Sequence, residues 1–144
     1  MKHAGLGFLI LLLLACGCAS RINYTPDVSH VKDPISTIKN TLEQQPPAYA
    51  YLPVKVEVTE QLITLYLVDS GVLPLLGSSI IPTILHYRNL GDLRLSKSAR
   101  NPIWHVEIYD KMGNDLYWVY TTEEKEAKEF INALHYMIEQ ENKR

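Results

Sequence analysis

The chain has 144 residues, with 14 Lys and Arg against 16 Asp and Glu and a formal net charge of −2. A balance so close to neutral argues against a polybasic surface for nucleic acid or anionic headgroups, and two cysteines leave no room for a disulfide framework. Length and an apolar content of 47% suit one domain around one core.

The cysteines lie in "LLLLACGCAS", Leu11 to Ser20. Met1-Lys2-His3 is a short basic start, and Leu6 to Ala15 is an apolar run. A run of about ten residues is half of what a membrane-spanning helix needs, but it fits the hydrophobic region of a secretory signal. A metal pair would require further ligands, and only His3 is near, on the wrong side. Cysteines separated by one residue also fit disulfide geometry poorly. The stretch resembles a bacterial lipobox. Leu13, Leu14 and Ala15 precede Cys16, while Ala15, Cys16 and Gly17 precede Cys18. The aliphatic residue at −3 favours Cys16, with Cys18 as the alternative.

That resemblance implies a thioether to diacylglycerol, cleavage before the modified Cys, and acylation of the new N-terminus (palmitate among the possible chains). Several chains at about 0.8 kcal/mol per buried methylene make a stable anchor. An ordinary cleaved signal with incidental cysteines is the plainer alternative. The chain then divides into a signal peptide over 1–15 (or 1–17), a lipidated N-terminus and tether over 16–32, and a single globular α+β domain over 33–144. Neither cysteine is followed by Asp, which in a Gram-negative organism favours the outer membrane, facing the periplasm.

Arg21 to Lys32 is polar and aperiodic and reads as a linker; the alternative is an extended segment docked along the domain. Asp33 is a candidate helix cap with Pro34 at the first helical position. Ile35, Ile38 and Leu42 then form a narrow apolar stripe that Pro46 and Pro47 close, a short N-terminal helix. Val54, Val56 and Val58 alternate with polar residues as a half-buried strand. After a turn at Glu60-Gln61, "LITLYLVD" puts Ile63, Leu65 and Leu67 on one face and Thr64 and Tyr66 on the other. "TILHY" (Thr83 to Tyr87) and "LRLS" (Leu93 to Ser96) are shorter strand candidates. "IWHVEIYD" points Trp104, Val106 and Ile108 inward and His105, Glu107 and Tyr109 outward. "KMGN" supplies a Gly-containing hairpin turn, and "DLYWVYTT" returns with Leu116, Trp118 and Tyr120 sharing a face.

Thr121 and Glu124 have the spacing of a capping box. Ala127, Phe130, Ile131, Leu134, Met137 and Ile138 then form a full amphipathic stripe, and Glu124 and Lys128 are a favourably ordered i,i+4 pair. The expected architecture is α+β: antiparallel sheets of about six to seven strands, a barrel or sandwich, capped by a C-terminal amphipathic helix.

"ILHYRNLGDLRLS" and "VEIYDKMGNDLYWVYTTEEKEAKEFINAL" resemble the middle strands, and the last hairpin running into the capping helix, of bacterial pleckstrin-homology-like domains. The resemblance spans about Val54 to Ile138 and implies that fold. Phosphoinositide-binding members cluster Lys and Arg around the first hairpin. Here Lys55 stands alone against Glu57 and Glu60, which argues against inositol-phosphate binding there.

No catalytic residue, metal site or cofactor is expected. His86 and His105 fall in strand candidates on solvent faces, His135 lies beside the helix stripe, and no metal-ligand spacing, H-E-x-x-H or G-x-S-x-G occurs. A triad drawn from Ser70, Asp69 and a His is no more than any soluble domain offers. Two segments read as interaction surfaces. The first is the apolar loop Gly71 to Pro82, with Val72, Leu73, Leu75, Leu76, Ile80 and Ile81, which is either a partner site or core folded back. The second is the basic stretch with Arg88, Arg94, Lys97 and Arg100, either anion-contacting or a strand edge protected by charge. The functional expectation is a membrane-anchored, non-catalytic binding or scaffold domain in the cell envelope with a protein partner and no nucleic acid. A domain that contacts lipid directly, or a small enzyme with a dispersed site, is the alternative.

Overall fold

The computed structural model of the chain describes residues 20–47, 52–69, 79–99 and 101–144. In chain order its elements are β1 (Ser20–Ile22), α1 (Pro34–Glu43), β2 (Lys55–Val58), β3 (Leu62–Asp69), β4 (Ser79–His86), a 3-10 turn (Tyr87–Asn89), β5 (Leu90–Lys97), β6 (Trp104–Asp110), β7 (Asp115–Thr121) and α2 (Glu124–Asn142). The strands form two antiparallel sheets, ordered β1-β5-β6-β7 and β2-β3-β4. The fold is α+β, with the C-terminal helix packed against α1 and the larger sheet.

Period alone accounts for most of the core. On α2, Ala127, Phe130, Ile131, Leu134 and Met137 are buried and Ile138 packs partly buried beside them. β6 sends Trp104, Val106 and Ile108 into the same core, β7 adds Val119, and β5 adds Leu95. From the smaller sheet come Val56, Ile63, Leu65 and Leu85. On α1, Asp33 accepts the Ser36 N–H at 3.0 Å, and Ile38 and Leu42 are fully buried. Tyr87 turns out of β4 into the 3-10 turn and is fully buried as well.

Two tight turns hold the meanders. Thr59 Oγ1 accepts the N–H groups of Gln61 and Leu62 at 3.3 and 3.2 Å, which pins the β2–β3 turn at Glu60-Gln61. Between β6 and β7, Asp110 Oδ1 accepts the N–H groups of Met112 and Asn114, both at 2.8 Å, and Gly113 supplies the positive φ of 86° that the turn needs. β5 meets the end of β6 so closely at Gly91 that a Cβ there would press on the Asp110 carbonyl.

Several expectations need correction. Residues from Ser20 onward are not a free linker: β1 pairs with β5, Tyr24 Oη donates to Asn132 Oδ1 at 2.8 Å, and the Asp27 N–H donates to the same oxygen at 2.9 Å. The segment is extended and docked, the alternative considered above. Thr121 does not cap α2. Its backbone is still paired with Trp104 in the sheet, and its hydroxyl donates to the Glu123 carbonyl at 2.9 Å, so the helix begins without a side-chain cap. Val54 lies outside β2 and is exposed, whereas Val56 is buried. The two short strand candidates fall within longer strands, β4 and β5, except that Tyr87 belongs to the 3-10 turn.

Candidate binding surface

Strand β4 is an edge of the smaller sheet among the described residues. The Tyr87 N–H donates to the Gln61 carbonyl at 3.1 Å, which sets the hydrogen-bonding phase of the β3–β4 ladder. By the alternation of an antiparallel pair, Thr83 and Leu85 turn their backbone groups towards β3. Ile80, Pro82, Ile84 and His86 turn theirs outward. The Thr59 N–H bond to the Leu62 carbonyl on the opposite side of β3 has the same phase. Pro82 therefore sits where its missing N–H costs the ladder nothing, the position in which an edge strand tolerates proline.

The side chains beside this edge are apolar and open. Ile80 is 59% exposed, Ile84 52% and Val68 40%, and all three lie on one face, with Val68 opposite Ile80. Ile81, on the other face, is 48% exposed as well. A row of large aliphatic side chains along an unpaired backbone is a template for another strand, and proteins usually blunt such edges with charge or cover.

The other sheet edges show how that is done. β2 is short, carries the Lys55–Glu57 ion pair and lies against α1; Lys55 and the Tyr66 hydroxyl hold the Glu57 carboxyl below its usual range. β1 is three residues long and carries Arg21, whose guanidinium meets Asp92 at 3.5 Å. On β7 the outward N–H of Tyr120 is taken by Gln45 Oε1. Only β4 has a long apolar edge with no such cover among the described residues.

The outer face of the larger sheet holds a second feature. Glu107 receives two hydrogen bonds, from Ser96 Oγ at 3.1 Å and from Tyr109 Oη at 2.7 Å, and His105 Nε2 lies 3.3 Å from its carboxylate. The His105 ring stacks on Trp118 at 5.3 Å between centroids with planes 3° apart, and Tyr120 tilts against both. His105 points away from the core, yet it is only 6% exposed because these cross-strand aromatics cover it. That corrects the expectation of a solvent-facing histidine. The carboxylate beside Tyr109 pushes its phenol above the ordinary range. With each group paired to a neighbour, this cluster serves as a sheet-locking network.

Within the basic stretch Arg94 is paired with a carboxylate, whereas Arg88 and Lys97 are exposed. Arg94 binds Asp92 at 2.7 Å and lies over the Tyr109 ring, 4.1 Å from its centroid. Lys97 lies over Trp104 at 4.9 Å. Arg88 is exposed on the 3-10 turn. Strand β5 is not an edge, since β1 covers it, so a charge-protected edge is not what these residues make. Ile80 and Ile81 stand on a strand rather than in a loop and do not fold into the core. Val72, Leu73, Leu75, Leu76, Ser70, Arg100, Cys16 and Cys18 lie outside the described residues. Sequence reasoning missed Ile84 and Val68, which lie on the face of the smaller sheet opposite the buried Ile63, Leu65 and Leu85. Pro82 within an otherwise β-branched run was the available signal.

Comparison of the chain with protein-family models, curated proteins and solved structures found no match. Among the described residues, no helix is long and apolar enough to cross a membrane, and no cluster of His, Cys, Asp and Glu is arranged to hold a metal ion.

Proposed function

We propose that this chain is a membrane-anchored bacterial lipoprotein whose α+β domain is a non-catalytic binding or scaffold module of the cell envelope. In a Gram-negative organism the anchor places it on the outer membrane, facing the periplasm. The anchor rests on the lipobox resemblance, with Cys16 as the modified residue and Cys18 as the alternative. The binding role rests on one observation: Ile80 and Ile84 of β4, with Val68 beside them on β3, stand exposed at a strand that is a sheet edge among the described residues. A pleckstrin-homology-like reading of the fold draws support from two successive three-stranded meanders followed by a terminal helix. On that reading β1 and α1 are additions to the pattern.

Mass spectrometry of the purified native protein tests the anchor. The expected N-terminus is residue 16 or 18 carrying acyl chains; an unacylated chain starting elsewhere overturns it. The binding role is tested with protein lacking the lipidated N-terminus, mixed with vesicles of neutral and anionic phospholipid. No association is expected, because Arg94 is paired with Asp92 and the net charge of the chain is −2. Salt-sensitive association would instead favour direct lipid contact.

A further inference from the structure

We infer that the edge of β4 takes up an extended segment of a second protein as an added strand, through the outward backbone groups of Ile80, Pro82, Ile84 and His86. This deepens the binding role proposed above and rests on it. Main-chain pairing supplies affinity in such an addition, and alternate side chains supply selectivity. Here the added strand would lay every second side chain beside Ile80 and Ile84, on the face they share with Val68.

The edge itself discriminates among occupants. Hydrocarbon offers no partner to the outward N–H groups of Ile84 and His86, and each unsatisfied group costs several kcal/mol in lipid. A strand satisfies them. A second copy of the chain is a poor occupant for a different reason. Two β4 strands paired about a two-fold axis bring two prolines to the junction, and each Pro82 leaves one acceptor of the other strand unfilled. A segment from another protein meets Pro82 once, so the proline weighs against self-pairing by one unfilled acceptor while leaving the rest of the edge available.

The test places the photo-crosslinker benzoylphenylalanine at position 80 or 84 of the full-length chain, irradiated in intact cells, with the adducts mapped by peptide mass spectrometry. Both probes are expected to attach to one protein, at sites four residues apart in one short segment. The adduct from position 80 should fall at least tenfold with Ile84→Pro, which removes an outward N–H without touching the β3 ladder, and survive Ile84→Val. The mapped spacing does not depend on the proline variant, so it decides the matter even where Ile84→Pro folds poorly. Adducts confined to lipid, to a second copy or to the same chain would overturn the inference, as would protein sites without strand spacing. Loss of the acyl anchor with these adducts intact would remove the envelope assignment and leave the strand addition standing.

Discussion

The Gln45 side-chain oxygen accepts the Tyr120 N–H at 3.0 Å, so a residue just past the end of α1 closes the outer edge of β7. The amide nitrogen of the same side chain donates to the Leu42 carbonyl at 3.1 Å and reaches the Tyr117 hydroxyl at 3.5 Å. Gln45 is buried. Gln45→Leu keeps the volume but orphans a sheet N–H, and is expected to cost about 1–3 kcal/mol. Urea unfolding measures it, and an unchanged midpoint would show that water replaces the amide.

Tyr87 is fully buried and its hydroxyl has no hydrogen-bond partner among the described residues. Tyr87→Phe is therefore expected to stabilise the protein by about 1 kcal/mol, measured as a raised unfolding midpoint. Burial also holds the phenol well above its ordinary range. Ionisation of this group leaves stability unchanged below the unfolded value of about 10 and lowers it above that, as the unfolded chain releases the proton first. Stability should fall on the alkaline side in the wild type and fall less steeply in Tyr87→Phe.

At the β6–β7 turn, bonds from Asn114 and from the turn's backbone N–H groups hold the Asp110 carboxyl below its usual range. A lowered carboxyl contributes stability above the ordinary carboxylate range, and the contribution disappears as pH falls through the folded value. Asp110→Ala should lower the unfolding midpoint at neutral pH and flatten the acid limb of stability against pH. Equal acid limbs in variant and wild type would refute this.

Gly91→Ala drives a methyl group towards the Asp110 carbonyl, a backbone atom that cannot rotate away. The expected loss is about 1–3 kcal/mol, as for other overpacked sites, with the β5–β6 pairing loosened in hydrogen exchange. Gly113→Ala is also expected to destabilise, through its positive φ rather than through contact, because a Cβ there meets nothing.

What the sequence made legible was whatever depends on neighbours a few residues away. The stripe from Ala127 to Met137 and the alternation from Trp104 to Ile108 each announce the face that ends up buried. Features made by distant partners were not legible. The burial of His105 depends on Trp118 and Tyr120 across the hairpin, and the docking of Tyr24 depends on Asn132, 108 residues away. Thr121 had the right spacing for a cap, but its place in the sheet overrode that local preference. At the candidate site, the apolar run left Ile80 and Ile81 as either exposed or core, and did not show that they lie on a strand with no further neighbour among the described residues, since that depends on long-range pairing.

Strand β1 has a consequence for posture. Ser20 is already paired with Lys97, in the row that continues through Trp104 to Thr121. Ser20 is four positions on from Cys16, a leash of at most about 14 Å, and two positions on from Cys18, at most about 7 Å. A lipid on either cysteine would leave this protein no stalk on which to tumble. It would stand with that end of its larger sheet planted near the headgroups, and any visitor to β4 would find it at a fixed height and attitude.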